Sequence, residues 1–285
     1  MPMKTHILVP GIGALLLALQ PTLAGAADSP ANPAAGGAEP SFADVAGLAD
    51  SAGLVVHARI TKAVRVKDER APGLKPGSGR FYVEADTLAL LTGNAPLGES
   101  IRYLVDLPLD ARGKEPRLKK LEVLLFARAV PGKPSEIQLL SPGAQLVWTQ
   151  GAEARLRGIL RALVAPDAPA EVTGVRELIF VPGNLAGQGE TQVFLNTRDN
   201  SAASITVRHM PGSEPTWGAS FSELVADVGK APARDTLEWY RLACFLPARP
   251  PEGSNMSEGP MARTQADADY RYVLRQLGPC QRNLR

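Results

Sequence analysis

Two acidic residues have the spacing that carboxylate chemistry needs. Glu84 and Asp86 lie two positions apart in the run Arg80 to Leu91, whose alternation is typical of a β-strand. Their carboxylates therefore project from one face, where they could hold a common cation or act on a sugar. Two acids on the solvent face of an exposed strand are the alternative interpretation. The sequence favours that alternative because nothing else in it supplies the several oxygen ligands that calcium needs.

Histidine is the other candidate for acid–base chemistry. His57 lies within Leu54 to Val66, a second strand-like run, where it is either a catalytic base or a partly buried imidazole held by one hydrogen bond. We favour the buried imidazole. The chain contains no Gly-x-Ser-x-Gly or Ser-x-x-Lys motif, which excludes the usual serine nucleophiles. We therefore lean towards a protein without enzymatic activity and keep a hydrolase that uses His57, Glu84 and Asp86 as an alternative.

Two basic segments form a candidate binding surface. Lys62 to Arg80 contains six basic and two acidic residues, and Ala111 to Lys120 contains five basic and one acidic residue. The side chains that we single out for binding are Lys62, Lys67, Arg70, Arg80, Arg112, Lys114, Lys119 and Lys120. Phe81, Tyr82 and Tyr103 could add stacking. Charge that only keeps these loops soluble is the alternative interpretation.

The N-terminus has the pattern of an export signal. Lys4 precedes an apolar run, Ile7 to Leu19, that is short for a membrane span, and Ala24-Gly25-Ala26 supplies small residues for cleavage. We predict that residues 1–26 are a signal peptide and that residues 27–40 are a flexible leader. The protein would then be periplasmic or secreted, with no transmembrane segment after cleavage. An uncleaved membrane anchor is the alternative.

Charge and compartment together limit the kinds of partner. The chain has 31 basic and 29 acidic residues, and loss of Lys4 with the signal peptide leaves 30 against 29. The whole molecule therefore has no electrostatic bias towards nucleic acid or membrane. Since an exported protein rarely meets nucleic acid, we expect none. An acidic protein, an acidic glycan or an envelope lipid head group is the expected partner.

The chain has two cysteines, Cys244 and Cys280. In an oxidising compartment this even count suggests one disulfide. Closing their 36-residue separation would stabilise the fold by about 4 kcal/mol in the chain-entropy model. A cysteine-based metal site is the alternative, but it lacks further thiols, and the mature chain adds only His57 and His209. We predict neither a metal nor a cofactor.

The first half of the chain predicts mostly strands. Ser41 and Asp44 form a capping box that starts a short helix before the strand at Leu54. Further strand-like runs, each bounded by Pro or Gly, are 80–91, 101–107, 121–130, 136–140 and 144–148. Strands without an intervening long helix predict an antiparallel sheet that closes into a small barrel. An amphipathic helix, Glu153 to Ala165, completes a predicted domain of residues 41–166.

The second half predicts a β-meander followed by helices. Its strand-like runs are 178–181, 191–196 and 204–209, with a fourth at or beside Trp217. A capping box at Ser220 and Glu223 predicts one helix, Asp235 caps a second, and a third ends just before Cys280. The tail after Cys280 is expected to fray. These elements form a predicted second domain, residues 170–285, and the fold class is α+β.

The first half resembles a known type of domain. Asp50 to Ile60, Val83 to Gly93 and Leu121 to Phe126 look like strands of exported bacterial domains with an OB-fold-like barrel, similar to the netrin and metalloproteinase-inhibitor module. The corresponding family patterns are A-D-x-V-V-x-G-x-V, V-x-x-x-L-x-G and x-Y-L-L-F. The resemblance spans residues 42–130 and implies a fold rather than an activity. The zinc-chelating N-terminal wedge of the animal inhibitors is not carried over, because this stretch has no cysteine.

Three functional hypotheses follow. We favour an exported, non-enzymatic binding or adaptor protein of the cell envelope that engages an acidic partner through the basic loops of the barrel. A carboxylate-dependent envelope hydrolase is the second hypothesis. The third is a structural component of an envelope assembly that associates through the C-terminal helices and Trp239.

Overall fold

The structure, a computed structural model, describes residues 39–222 and 230–284 together with Met1. Three predicted segments therefore lie outside the described residues. They are the signal peptide beyond Met1, most of the leader, and the helix predicted after Ser220 and Glu223. The fold class is α+β, as predicted: two antiparallel sheets are accompanied by helices, two of which follow the second sheet.

The first sheet lies between helices α1 (Phe42–Ser51) and α2 (Gln150–Leu163) in the chain. Its strands are β1 (Leu54–Arg65), β2 (Ser78–Thr92), β3 (Ser100–Pro108), β4 (Glu122–Ala129), β5 (Ile137–Leu139) and β6 (Gln145–Val147). Their order is β3-β2-β1-β4-β5, and β6 also pairs with β4. Buried and more exposed residues alternate along β2 and β3, and the buried ones fill the core. This alternation explains why these runs form strands.

The predicted closure of this sheet into a barrel is wrong. β3 meets the segment around β5 through single contacts, such as a bridge between Arg102 and Glu136 and a backbone hydrogen bond from Asp106 to Pro142 (2.7 Å). No continuous ladder joins the two edge strands in the part of the chain that the structure describes. Pro134 and Pro142 lie on either side of β5 and have no N–H, so at these positions the segment can accept hydrogen bonds from β3 but cannot donate them.

The second sheet is the predicted meander; its first two strands are longer than the sequence indicates, and its third has the predicted bounds, 204–209. It contains β7 (Val172–Pro182), β8 (Gly189–Thr197), β9 (Ser204–His209) and β10 (Thr216–Ser220). Each strand pairs with the next in the chain, in the order β10-β9-β8-β7. Trp217 lies on β10, as predicted, and is buried.

Two helices follow the second sheet. α3 (Leu237–Ala243) is capped by Thr236, whose hydroxyl accepts the N–H of Trp239 at 3.2 Å, so the cap lies one residue after the predicted Asp235. α4 (Gly259–Leu277) packs against β7 and β8. Its buried residues are Ala266, Asp269, Tyr270, Val273 and Leu277. The division into two domains near residues 166–170 stays a prediction.

The predicted disulfide is confirmed, and the residues after it are bonded to α1. Cys244 and Cys280 are joined with a Cα–Cα distance of 5.0 Å. The buried carboxylate of Asp44 accepts the N–H of Asn283 at 2.8 Å and, in the predicted capping box, the N–H of Ser41 at 2.9 Å. The expectation that this tail frays is therefore wrong for residues 281–283, because α1 offers their polar groups partners.

A buried ion pair links α3 to α1. Arg241 is 6% exposed, and its guanidinium bonds both carboxylate oxygens of Asp50, at 2.5 and 3.0 Å. It also donates to the carbonyl of Pro169 at 3.1 Å. Removing one partner of such a pair leaves the other charge buried and uncompensated.

We expect Asp50→Ala to lower the free energy of unfolding by about 3 kcal/mol, because the charge of Arg241 would lose its carboxylate. Adding Arg241→Met should restore part of this loss, since methionine fills the space without a charge. Urea unfolding followed by circular dichroism measures both effects. The control, Asp68→Ala, removes an exposed pair with Arg65 and should cost about 0.5 kcal/mol or less. An Asp50 variant as stable as this control would contradict the prediction.

Candidate functional site

The two predicted basic segments place loops at the same end of the first sheet. Residues 66–77 connect β1 to β2, and residues 109–121 connect β3 to β4. Because β2 pairs antiparallel with β3, the end of β3 lies beside the start of β2. The N–H of Leu109 donates to the carbonyl of Gly77 at 2.9 Å and joins the loops directly. We call these two loops the basic end.

Buried residues and backbone hydrogen bonds anchor the basic end. Ala71 and Leu118 are 3% and 4% exposed. The N–H of Lys120 donates to the carbonyl of Ile60 on β1 at 2.8 Å. Lys120 has a φ of 69°, a left-handed conformation that costs a non-glycine residue about 1 kcal/mol. The loops are thus held against the sheet while their charged side chains face solvent.

Cations outnumber anions at the basic end, which contains eight basic and four acidic residues. Asp68 pairs with Arg65 at 3.1 Å, and Asp110 accepts the N–H groups of Arg112 and Lys114 at 2.8 Å. These two carboxylates therefore serve the local structure. Within residues 39–222 and 230–284, no carboxylate oxygen lies within 4.0 Å of the charged groups of the eight cations. The eight are Lys67, Arg70, Lys75, Arg112, Lys114, Arg117, Lys119 and Lys120, all exposed.

Two of the predicted binding residues have partners within the sheet. Arg80 on β2 bonds both oxygens of Asp106 on β3, at 2.6 and 2.8 Å, and donates to the carbonyl of Pro72 at 3.3 Å. The hydrogen bond to Asp106 raises the pKa of Arg80 above its usual value. Lys62 on β1 contacts Glu84 at 3.3 Å. The other six predicted residues belong to the basic end, and their role in binding stays a prediction.

The predicted stacking surface is mostly buried. Phe81 and Tyr103 are 2% and 3% exposed, and the hydroxyl of Tyr103 donates to Gln145 at 2.7 Å. Tyr82 is 37% exposed on the opposite face of β2. The suggestion that all three rings could stack on a ligand is therefore wrong, because strand alternation turns Phe81 and Tyr103 into the core.

The predicted carboxylate pair lies on the outer face of β2. Glu84 and Asp86 alternate with buried residues, the arrangement that the sequence favours. His57 pairs across the β1–β2 ladder with Ala89, whereas Glu84 is opposite Lys62. The structure therefore does not bring the three residues of the hydrolase hypothesis together.

His57 lies instead in a cluster that sequence reasoning missed. Its ring is stacked on Trp148, with centroids 4.9 Å apart, and the residue is 9% exposed. Nε2 is 2.9 Å from a carboxylate oxygen of Glu122 on β4, and Nδ1 is 3.5 Å from one of Glu153 on α2. The cluster thus joins β1, β4 and α2.

Each carboxylate of the His57 cluster also bonds an arginine. The hydrogen bond from Arg59 (2.7 Å) is the main reason why the pKa of Glu122 lies below its usual value, and the neighbouring imidazole adds to the effect. For Glu153, the hydrogen bond from Trp148 lowers the pKa most, followed by that from Arg157 (2.7 Å). Both carboxyl groups are therefore ionised at neutral pH, which suits a structural role at the N-terminal end of α2.

A second histidine cluster lies between the second sheet and α4. Asp269 is 2% exposed and accepts hydrogen bonds from His209 (2.9 Å), Gln265 (2.9 Å) and Thr191. These bonds satisfy the buried carboxylate and attach the helix to the sheet. The sequence places His209 correctly at a strand end, but no local signal points to Asp269, which is 60 residues away.

The helices line a surface cleft of about 760 Å³. Its lining includes the apolar residues Phe42, Ile159 and Trp239 and the charged residues Arg155 and Arg234. None of the predicted binding residues belongs to this lining. The cleft and the basic end are therefore separate features.

Three further findings bear on function. As far as the described residues show, no group of three or more His, Cys, Asp or Glu side chains is placed to hold a metal ion. No helix among the same residues combines the length and apolar character needed to cross a membrane. The chain matches no protein-family model, and a search of curated proteins finds no significant match.

The lowered pKa values in the His57 cluster predict sensitivity to acid. A carboxyl group whose folded pKa lies below its unfolded value, about 4.3 for Glu, stabilises the fold above that pH and loses this contribution as the pH falls. We therefore expect the free energy of unfolding to decrease below about pH 4, and less steeply in the Glu122→Gln/Glu153→Gln variant.

Urea unfolding at about pH 7 and about pH 3.5 measures this difference. Glu84→Gln/Asp86→Asn is the matched control because it removes two carboxylates on the outer face of the sheet. The control should lose stability in acid as the wild type does. A cluster variant with the same loss as the wild type would show that Glu122 and Glu153 do not cause it.

Proposed function

We propose that the protein is an exported, non-enzymatic binding or adaptor protein of the cell envelope that holds an acidic partner at the basic end. The observation that carries this proposal is the hydrogen bond from Leu109 to Gly77, which joins two loops with eight unpaired cations among the described residues. A cation that is paired with a nearby carboxylate adds little net charge to the local potential. Unpaired cations on an anchored surface create a positive potential that attracts anions.

The positive charge is local rather than a property of the whole chain. The basic end has an excess of four cations, eight basic less four acidic, whereas the entire sequence has a formal net charge of +2. At physiological salt, exposed charges act over about 8 Å, so the partner must place its own anions directly against the loops. An acidic protein, an acidic glycan and an anionic head group all meet this condition, and nucleic acid is not expected for an exported protein.

The two alternative functions receive less support from the described contacts. For the hydrolase, Glu84 and Asp86 lie apart from His57, whose ring contacts other carboxylates. For the structural component, Trp239 is 3% exposed and its indole N–H donates to the carbonyl of Leu277 at 2.8 Å, so its ring is not available for association. The likeness to OB-fold-like domains remains a proposal about the fold, and the proposed function does not depend on it.

Export is the part of the proposal that rests on sequence alone. We expect the protein recovered from the periplasm or medium of a bacterial host to begin near residue 27, because Ala24-Gly25-Ala26 has the cleavage pattern. Intact-mass measurement identifies the N-terminus. Ala24→Leu/Ala26→Leu is the control, since large residues at these positions should block cleavage. A wild-type chain that keeps Met1 and stays in the membrane fraction would support the uncleaved anchor.

Neutralising the basic end tests the binding. The variant replaces four of its cations by glutamine: Lys67, Arg112, Lys114 and Lys119. The control replaces four exposed arginines that have no ion pair in the described residues and lie outside the basic end: Arg128, Arg161, Arg249 and Arg275. We expect the variant to retain envelope partners at least about tenfold less well than the wild type, because it loses positive electrostatic potential at the basic end. The control loses the same net charge but keeps the potential at the basic end.

Pull-down from envelope extracts at about 0.15 M salt, with quantitative mass spectrometry, measures the retained partners. Because both variants carry the same change in net charge, a loss confined to the basic-end variant identifies the location of the site. Identical partner profiles for the wild type and that variant would remove the basic end from the proposal.

A further inference from the structure

A row of exposed apolar residues crosses the outer face of the first sheet near the basic end. Val64 on β1 is opposite Tyr82 on β2, which is opposite Leu104 on β3, so the three side chains stand next to one another. They are 49%, 37% and 49% exposed. Their neighbours Val83 and Val105 point to the other face and are fully buried. We call Val64, Tyr82 and Leu104 the apolar row.

The apolar row is continuous with the basic end on one side. The next cross-strand pair towards the loops is Arg80 and Asp106, which neutralise each other. Arg80 also donates to the carbonyl of Pro72, so the loop of residues 66–77 approaches the face that carries the row. The loop that carries Lys67, Arg70 and Lys75 is therefore separated from the row by a single neutral pair.

The other side of the apolar row also has a net positive charge. Lys62, Glu84 and Arg102 are the next residues across the three strands. Lys62 pairs with Glu84 at 3.3 Å. Arg102 is exposed and has no carboxylate within 4.0 Å in the described ranges. An apolar strip of three residues thus lies between two regions with excess positive charge.

We propose that the apolar row and the basic end form one interface, which binds an acidic segment of a partner protein whose apolar side chains lie on the row. This inference rests on the proposed function and adds the class of partner. Protein interfaces commonly have an apolar centre and a polar rim. The apolar row supplies the centre, and the cations of the basic end supply the rim and select an acidic partner by charge complementarity.

The same surface fits a membrane or a glycan less well. None of the exposed large apolar residues lies in residues 66–77 or 109–121, so the loops of the basic end offer no side chain for insertion into a bilayer. The apolar side chains of the interface lie on the face of the sheet instead. For a glycan, Phe81 and Tyr103 are buried, which leaves Tyr82 between the aliphatic Val64 and Leu104. Aliphatic side chains on a sheet face suit the apolar side chains of a protein segment.

Synthetic acidic polypeptides separate the two parts of the interface. The probes are poly-L-glutamate, a random copolymer of glutamate and tyrosine with the same number of charges, and phosphatidylglycerol vesicles. The row variant carries Val64→Thr, Tyr82→Thr and Leu104→Thr, which keep high strand propensity. Its control carries Val181→Thr and Leu185→Thr, which remove exposed apolar side chains (55% and 62%) outside the interface. The basic-end variant is the four-glutamine variant described above.

We expect the wild-type protein to bind the copolymer about tenfold more tightly than poly-L-glutamate, which corresponds to about 1.4 kcal/mol. The row variant should lose this preference and keep its affinity for poly-L-glutamate, whereas the control should keep both. The basic-end variant should bind both polymers more weakly. Biolayer interferometry measures the affinities, and thermal unfolding confirms that each variant is folded.

The possible failures are distinguishable. Equal affinity of the wild type for the two polymers, or a row variant that keeps the preference, overturns the interface while the proposed function stands. A basic-end variant with unchanged affinity for both polymers, or a wild type that binds neither, overturns the proposed function as well. Tighter binding to the vesicles than to the copolymer would assign the surface to anionic lipid and overturn the choice of a protein partner.

Discussion

The pairing of β1 on its two edges is the constraint on which the rest of the first sheet depends. β2 pairs with β1 from Val55 to Arg65, whereas β4 pairs with it only from Leu54 to Arg59. The half of β1 that has both neighbours is almost entirely buried and carries the His57 cluster. In the other half only Ile60 is buried, and the remaining residues, which lead to the basic end, are exposed or half-buried. The point at which β4 begins, with Glu122 opposite Arg59, therefore decides which side chains of β1 can meet a partner.

The parts of this fold that depend on nearby residues could be predicted from the sequence. Alternation within β2 and β3 indicates their faces, Ser41 and Asp44 mark the start of α1, and a chain with two cysteines has one possible intramolecular pairing. Alternation also places Phe81 and Tyr82 on opposite faces of β2, so their shared assignment to a stacking surface conflicted with that pattern. The composition of the two loops likewise indicated the basic end, although only the structure shows the contact between them.

The parts that depend on distant residues could not be predicted. Glu122 lies 65 positions after His57, and only the register of β1 with β4 brings them together. Asp269 lies 60 positions after His209. Closure of the barrel failed for a different reason: it requires a ladder between two edges, and prolines on either side of β5 remove donors that the ladder would use. Strand propensity alone carries no information about such edges.

The bonds between α1 and the tail bring the two ends of the described chain together. The side chain of Asn283 donates to the carbonyl of Glu39 at 2.7 Å. A short linker between these residues would therefore close the backbone into a ring, and a new break in the exposed loop of residues 183–187 would open it again. Such a circular permutant would keep the contacts of both sheets, but ribosomes would release β8, β9 and β10 before the first sheet and β7 after it.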